Sequence, residues 1–224
     1  MRSEPDFPQR DDRGGIAFSL AWTSDSNKQT ESVAWGDGNG DGWLDLAVGN
    51  SNDANRIYWN TGRDDLLDKT APWETGAEMA THSVAWGDVD NDSFLDLAVS
   101  NQNGVNQLYI NTDGKITTTA RDIGSADDKT FSLAWGDVNG DGWLDLVVGN
   151  FGTGTQIFTN TGVSLGTDPA WKSADSNTTT SVAWGDMDGD GDLDLAVGNA
   201  VTPNSPGKNQ IFVLVSNMVK WEKP

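Results

Sequence analysis

The feature that most constrains this chain is a repeat, because one segment of about 50 residues occurs four times. The sequence Ser-Val-Ala-Trp-Gly-Asp begins at Ser32 and returns at Ser83, Ser132 (with Leu for Val) and Ser181. Each copy continues with a loop rich in Gly, Asn and Asp, and then with Leu-Asp-Leu and small or β-branched residues. The first loop aspartates are 51, 49 and 49 residues apart. A period this regular predicts four copies of one structural module.

Each copy predicts short antiparallel strands with one bulky and one small-residue face. Val33 and Trp35 alternate with small residues in the strand 32–36, and residues 44–49 repeat the alternation. Successive side chains of a strand point to opposite faces, so the bulky face of one sheet fits the small face of the next. No 3.6-residue period is present, which excludes a helical repeat.

Four short strands per copy at this period predict an all-β fold, a β-propeller with four four-stranded antiparallel blades. The third strand is predicted by Arg56–Trp59 and its counterparts, and the fourth by Trp73 and Trp171, each 13 residues before the next first-strand Trp. The expected organisation is a flexible segment followed by one propeller domain, with these bounds: 1–15 and 16–224, and blades at about 32–80, 81–130, 131–180 and 181–224.

The ends of the chain leave one strand in surplus. Residues 16–22 predict a fourth strand without its own blade, while 219–221 predict the fourth strand of the last copy. Two closures remain open at this point. The surplus strand completes a blade of the same chain, or it completes a blade of a second chain in a homo-oligomer such as a dimer. Because four blades are the lower limit for a ring, the second closure is favoured.

Between the first and second strands lies a nine-residue acidic loop with oxygen-bearing residues at alternate positions. Positions 1, 3, 5, 7 and 9 are occupied, in the first to fourth acidic loops, by Asp37, Asn39, Asp41, Trp43, Asp45; Asp88, Asp90, Asp92, Phe94, Asp96; Asp137, Asn139, Asp141, Trp143, Asp145; and Asp186, Asp188, Asp190, Asp192, Asp194.

This spacing predicts about four Ca²⁺ ions, one per blade. Calcium takes about 6–8 oxygen ligands, which positions 1, 3, 5 and 9 offer through side chains and position 7 through its backbone carbonyl. Glycine at position 6 allows a sharp turn, and Ser93 breaks that rule in the second loop. Without a cation the carboxylates repel one another. The alternative is a solvated Asp/Gly hairpin, which four copies in register make improbable, and Mg²⁺ is disfavoured because it keeps its waters.

The copies resemble FG-GAP/VCBS repeats, the blades of the integrin α-subunit propeller and of many bacterial surface proteins. The resemblance is carried by Val-Ala-Trp-Gly-Asp, the acidic loop and Leu-Asp-Leu-Ala-Val-Gly-Asn, over roughly residues 16–221. It implies a β-propeller, calcium in the acidic loops, an extracellular or cell-surface location, and adhesion or the binding of glycans or proteins. This chain differs in blade number, since family propellers are commonly seven-bladed.

The composition argues against several classes of partner and of catalytic site. With 34 acidic and 14 basic residues the formal charge is −20, which argues against nucleic acid and anionic membranes as partners, and no apolar run is long enough for a membrane span. Residues 1–15 do not form a signal peptide. Cysteine is absent and His82 is the single histidine, so no Ser/His/Asp or Cys/His set can be assembled. The expected function is therefore a non-enzymatic calcium-binding propeller, with a self-assembly module or a polysaccharide-active enzyme as alternatives.

An additional ligand-binding surface is suggested by the Asn-rich loops between the second and third strands. Their first residues are Asn50, Asn101, Asn150 and Asn199. Amide side chains there offer hydrogen bonds to a glycan, whereas the alternative is that asparagine initiates the turn. Both interpretations stay open from the sequence.

Overall fold

The computed structural model describes residues 19–62, 66–70, 72–76, 78–203 and 205–215, which form an all-β protein. The strands of the first blade are β1 (Thr30–Gly36), β2 (Asp45–Asp53), β3 (Arg56–Tyr58) and β4 (Trp73–Glu74). Those of the second blade are β5 (Met79–Gly87), β6 (Asp96–Asn101), β7 (Asn106–Tyr109), the small hairpin β8 (Asn111–Thr112) and β9 (Lys115–Ile116), and β10 (Arg121–Ile123).

The remaining strands build two further blades of the same design. The third blade has β11 (Thr130–Gly136), β12 (Asp145–Asn150), β13 (Gln156–Phe158) and β14 (Trp171–Lys172). The fourth blade has β15 (Thr178–Gly185), β16 (Asp194–Thr202), β17 (Ser205–Pro206) and β18 (Gln210–Phe212). The predicted β-propeller fold is therefore confirmed, with Trp73 and Trp171 in the fourth strands where the sequence places them.

The first and second strands of every blade pair antiparallel and keep one register. The first-strand tryptophan always lies opposite the second leucine of the second strand, in the pairs Trp35 and Leu46, Trp86 and Leu97, Trp135 and Leu146, and Trp184 and Leu195. Each first strand also carries a bulge just before its repeated serine, for example between Thr30 and Ser32. A bulge re-aims the strand end that it interrupts, so its fourfold recurrence belongs to the blade design.

Adjacent blades pack a bulky face on a small-residue face, as the alternation predicts. Trp86 lies over Gly36, where an added Cβ would come within 2.6 Å of its ring, and Trp135 lies over Gly87 in the same way at 2.7 Å. The buried core follows these interfaces, with Val84, Leu97 and neighbouring residues between the first two blades. The acidic loops thus stand on a rigid stack of sheets.

The ends of the chain differ from the expectation in one respect. Of the predicted surplus strand 16–22, only residues 19–22 lie within the described residues, and they form no strand ladder. The predicted strand at 219–221 lies outside the described residues. In the second blade the fourth strand, β10, carries no tryptophan, so it was not predicted from the tryptophan spacing.

Candidate metal centres in the acidic loops

Each acidic loop connects the first two strands of its blade, and its last aspartate is the first residue of the second strand. These four aspartates are Asp45, Asp96, Asp145 and Asp194, and all are buried. The loops therefore begin at the end of one strand and finish on a carboxylate that the sheet holds in place. This explains why the sequence spacing of nine residues is the same in every copy.

Both oxygens of the last aspartate accept backbone hydrogen bonds. In the first loop Asp45 Oδ2 accepts from Gly38 N at 2.9 Å, and Oδ1 accepts from Asn60 N at 2.7 Å. The second and third loops repeat this arrangement, with Asn111 and Asn160 as the donors to Oδ1, both at 2.7 Å. One carboxylate therefore joins the start of the loop to the end of the third strand.

The first aspartate closes the loop from the opposite side. Asp37 Oδ1 accepts from Asp41 N at 3.0 Å, and Asp37 Oδ2 accepts from Gly42 N at 2.9 Å. The equivalent bonds of Asp137 are 3.0 and 2.8 Å long. In the fourth loop the donors to Asp186 are Gly189 and Gly191 instead.

The loop folds bring side-chain oxygens of positions 1, 3 and 9 together. Carboxylate oxygens of Asp88, Asp90 and Asp96 lie within 4.8 Å of one another, as do those of Asp186, Asp188 and Asp194. In the first and third loops position 3 is Asn39 or Asn139, whose Oδ1 accepts from the position-5 amide at 3.0 or 2.9 Å. An amide oxygen is also a calcium ligand, so asparagine at position 3 is compatible with the same role in the first and third loops.

Several aspartates of the acidic loops have a raised pKa. Burial raises the pKa of Asp45 to about 6 and that of Asp96 to about 6, against the lowering effect of the backbone N–H groups that they accept. Burial also raises the pKa of Asp145 and, together with repulsion from Asp92, the pKa of Asp90. The ion pairs found among the described residues involve none of the loop acids, since they join Lys28 or Arg56 to acids elsewhere in the chain. The loops consequently carry negative charge that an external cation would neutralise.

The backbone of the loops needs left-handed residues at positions 4 and 6. The second loop uses Asn91 (φ 55°) and Ser93 (φ 76°) where the third uses Gly140 and Gly142. The sequence anticipated the requirement at position 6 but not at position 4. Because Ser93 adopts the same left-handed conformation as its glycine counterparts, the second loop keeps the shape of the others.

The aromatic residues at position 7 pack on neighbouring turns. Trp43 lies over Gly62 and Trp143 over Gly162, the last residues of Asn-Thr-Gly turns in their own blades. Phe94 reaches Gly40 of the preceding acidic loop. These contacts hold the backbone at position 7, whose carbonyl is a predicted calcium ligand.

The four asparagines suggested for ligand binding are buried, which corrects that expectation. They are Asn50, Asn101, Asn150 and Asn199. Three of the four Nδ2 groups donate internally, for example Asn50 to Ala54 O at 2.7 Å and Asn101 to Val105 O at 2.9 Å, whereas Asn150 Nδ2 is buried without a partner. Each Oδ1 accepts from a threonine of the first strand, for example Thr30. Buried side chains are not accessible to a glycan, so turn formation is the better interpretation.

Sequence reasoning missed a second set of asparagines that supports the acidic loops from the next blade. Asn111 Nδ2 donates to Gly38 O at 2.5 Å, and Asn160 Nδ2 donates to Val89 O at 2.7 Å. Both accepting carbonyls belong to position 2 of the preceding loop. The signal for them in the sequence is the repeated Asn-Thr-Gly or Asn-Thr-Asp-Gly turn.

The single histidine of the chain packs against an aromatic ring. His82 lies on the first strand of the second blade and stacks on Phe131 with ring centroids 4.4 Å apart. It therefore takes part in an aromatic contact between blades. No helix among the described residues is long and apolar enough to cross a membrane.

Comparison with known proteins gives a fold and a family. Solved structures with similar folds include the computationally designed Ika4 protein (8% identity, TM-score 0.53, 89% of this chain and 100% of that one). They also include the designed Ika8 protein (9%, 0.52, 83% and 46%) and BBS1N, solved in complex with ARL6DN (15%, 0.51, 82% and 54%). The chain thus spans about half of the length of the latter two.

No curated protein sequence gives a match to this chain. The model of the FG-GAP-like repeat, by contrast, matches three overlapping segments, residues 37–99, 90–148 and 137–197. Each segment runs from one acidic loop through the strands that follow it to the next acidic loop, and together the segments cover most of the chain. The chain therefore belongs to the family of FG-GAP-like repeat proteins.

Proposed function

We propose that the four acidic loops bind Ca²⁺, one ion per blade, and that the ions stabilise a propeller whose function is binding rather than catalysis. Side-chain oxygens at positions 1, 3, 5 and 9, with the carbonyl at position 7, would hold each ion. In the second loop these residues are Asp88, Asp90, Asp92, Phe94 and Asp96. The bound ion would supply positive charge and a fixed geometry for the loop, and no reaction step.

The observation that supports this proposal best is the convergence of three carboxylates on one point in the second and fourth loops. Oxygens of Asp88, Asp90 and Asp96 lie within 4.8 Å of one another, and none of them forms an ion pair with a described basic side chain, although the charge of Arg121 acts on Asp90 from further away. Like charges at this separation destabilise the folded state unless protons or a cation neutralise them. A flexible set of carboxylate and amide oxygens suits Ca²⁺ better than Mg²⁺, which requires tighter octahedral geometry.

Propellers of FG-GAP-like repeats are generally binding or structural modules, and we propose the same here. The chain would act outside the cell or at its surface, where calcium is abundant enough for sites of modest affinity, and would bind a glycan or protein as an adhesion or lectin-like module. A polysaccharide-active enzyme is the less favoured alternative, because the regularly placed acids are already assigned to calcium. Turnover of a polysaccharide that depends on one loop acid without unfolding would favour it instead.

Calcium titration of the metal-free protein tests the proposal. We expect about four equivalents by isothermal titration calorimetry, a higher melting temperature in Ca²⁺ than in EDTA, and a smaller shift in Mg²⁺. At about 100 times the dissociation constant, one site adds about 2.7 kcal/mol to the free energy of unfolding. Identical melting curves in Ca²⁺ and in EDTA would contradict it.

Single variants at position 5 assign the equivalents to individual loops. These aspartates are exposed, so their truncation leaves the core untouched; the variants are Asp41→Ala, Asp92→Ala, Asp141→Ala and Asp190→Ala. Each should remove one equivalent of calcium. Asp127→Ala, an exposed aspartate outside the loops, is the matched control and should retain all of them.

A further inference from the structure

We propose that two copies of this chain associate head to tail and close one eight-bladed ring. The head face is the bulky side of the first blade, with Val33, Trp35 and Leu44. The tail face is the small-residue side of the fourth blade, with Ser181, Ala183 and Gly185. In the proposed dimer each head face packs on the tail face of the other copy, so that both interfaces repeat the blade contacts already present within the chain.

The internal interfaces define what such a contact requires. At each of them the first-strand tryptophan donates its indole N–H to an alanine carbonyl of the preceding blade. The pairs are Trp86 to Ala34 at 3.2 Å, Trp135 to Ala85 at 3.4 Å and Trp184 to Ala134 at 3.4 Å. Two of the interfaces add a bond from a first-strand amide to a serine hydroxyl, Val84 N to Ser32 Oγ and Val182 N to Ser132 Oγ, both at 3.2 Å.

Close approach at these interfaces depends on glycine. A Cβ added to Gly36, Gly87 or Gly136 would lie 2.6, 2.7 or 2.6 Å from the tryptophan of the next blade. The fourth copy of this glycine, Gly185, has no heavy atom within 4 Å of the same added Cβ. The tail face is thus shaped for a tryptophan that the described residues of one chain do not supply.

The side chains of the head face are exposed, whereas their counterparts at the internal interfaces are buried or partly buried. Val33 is 59% exposed and Trp35 58%, whereas Val84, the internal counterpart of Val33, is 5% exposed. On the tail face Ile211 is 58% exposed, and its counterpart Ile57 is fully buried. The head face and the tail face are therefore the two sides of one repeated interface. In the dimer, Trp35 Nε1 of one copy would donate to Ala183 O of the other copy, and Val33 N would donate to Ser181 Oγ.

A second observation, at the rim of the first blade, points the same way. Trp22 contacts Tyr58 edge-on, with ring centroids 5.1 Å apart. Trp73 contacts Tyr109 and Trp171 contacts Phe212 in this way, each at 5.0 Å, and both of these tryptophans lie on the fourth strand of the preceding blade. Trp22 thus occupies the position of a fourth-strand residue from a blade that would precede the first.

The fourth blade has the complementary deficiency. Its outermost paired strand within the described residues is β18, which pairs with β16 alone. In the first blade Ile57 lies opposite Trp73, and in the third Ile157 lies opposite Trp171. By the same register, Trp22 of one copy would lie opposite Ile211 of the other, and Thr23 opposite Gln210. An open sheet edge commonly accepts such an added strand.

Mass in solution, by light scattering after size-exclusion chromatography, tests the pairing. The 24.0 kDa chain should run as a dimer of about twice that mass, and Trp35→Asp or Gly185→Val should yield monomers with dimer dissociation constants at least about 30-fold higher, as for central interface tryptophans. Val163→Asp, on an exposed turn, is the control and should remain dimeric.

Because the interface is head to tail, mixing the two monomeric variants should restore a dimer through one intact contact. A wild-type monomer at all concentrations, a ladder of higher oligomers, or no dimer on mixing would overturn the proposal.

Cross-linking distinguishes pairing between chains from closure within one chain. The chain has no cysteine, so one preparation carries Thr23→Cys and another Gln210→Cys. Oxidation of the mixture should give a disulfide-linked dimer on denaturing gels, whereas Thr23→Cys mixed with Val163→Cys should give far less. For the doubly substituted chain, a cross-linked product that runs as a monomer would show closure within one chain and overturn the proposal. Both measurements are made with Ca²⁺ and with EDTA, so failure of calcium binding is seen separately.

Discussion

Asn160 and Val89 join the third blade to the second acidic loop: Asn160 Nδ2 donates a hydrogen bond of 2.7 Å to the backbone carbonyl oxygen of Val89, and both residues are buried. Val89 N in turn donates to Asp96 Oδ2 at 2.9 Å. A side chain of one blade therefore holds the peptide that positions the last aspartate of the preceding loop. The conformation of such a loop therefore depends on residues of two blades.

We predict that Asn160→Ala lowers the free energy of unfolding by about 1–3 kcal/mol, because it leaves the buried carbonyl of Val89 without its partner. The variant should also weaken calcium binding at the second loop, since that loop loses support from outside. Urea denaturation and calorimetric titration measure the two effects. Asn103→Ala, an exposed asparagine in a turn, is the control and should change neither quantity.

A substitution in the second loop should stabilise the protein. Ser93 has a φ of 76° with its Cβ present, a conformation that costs a non-glycine residue roughly 1–2 kcal/mol. Ser93→Gly should therefore raise the free energy of unfolding by about that amount in thermal or urea denaturation, in metal-free protein as well as in Ca²⁺.

The reciprocal change provides the control. Gly142 has a φ of 89° and open space around an added Cβ, so Gly142→Ser tests conformational strain without a clash. It should lower the free energy of unfolding by a similar amount. Equal stability of both variants and the wild type would show that strain at position 6 is negligible.

The sequence predicted the blade and its loops because their signals are local. Alternation of Val33 and Trp35 with small residues defines the faces of a strand, and the nine-residue spacing from Asp37 to Asp45 defines the loop. The burial of Asn50 was not predictable in this way, since it depends on Thr30 from another strand. The choice between closure within one chain and closure between two chains was also not predictable, because it depends on the accumulated rotation between blades, and no single repeat encodes that rotation.

Within one acidic loop, we expect some aspartates to stabilise the fold itself and others to stabilise it only through bound calcium. Both oxygens of Asp96 accept backbone N–H groups, from Val89 and Asn111. Asp96→Asn turns an amide N–H toward one of these donors, so it should destabilise the protein by about 1–3 kcal/mol with or without calcium. Asp92 is exposed and accepts from Phe94 N through one oxygen. Asp92→Asn keeps that bond and should lower stability only when calcium is present.

Four melting curves, for the two variants in Ca²⁺ and in EDTA, measure this difference. If Asp96→Asn were neutral in EDTA, the buried carboxylate would have no structural role beyond the metal. If Asp92→Asn destabilised the metal-free protein equally, the separation between structural and metal-binding aspartates would be wrong.

The metal-free protein should become less stable as the pH rises from about 4 to 6. The pKa values of Asp45 and Asp96 are raised to about 6 in the folded state, against about 3.9 in an unfolded chain. Between these values the folded state binds more protons than the unfolded state, so the free energy of unfolding decreases with increasing pH. Calcium competes with the same protons, and its stabilising effect should therefore increase over this window and be largest above pH 6.

Urea denaturation of dialysed, metal-free protein at pH 5 and pH 7.5, repeated in Ca²⁺, measures both trends. The net charge of −20 contributes a repulsion of the same sign, so the double variant Asp45→Asn and Asp96→Asn is needed to isolate the two carboxylates. It should flatten the pH dependence of the metal-free protein even though its absolute stability is lower. A slope unchanged by the double substitution would assign the effect to overall charge, and a metal-free protein that gained stability between pH 5 and 7.5 would contradict the raised pKa values themselves.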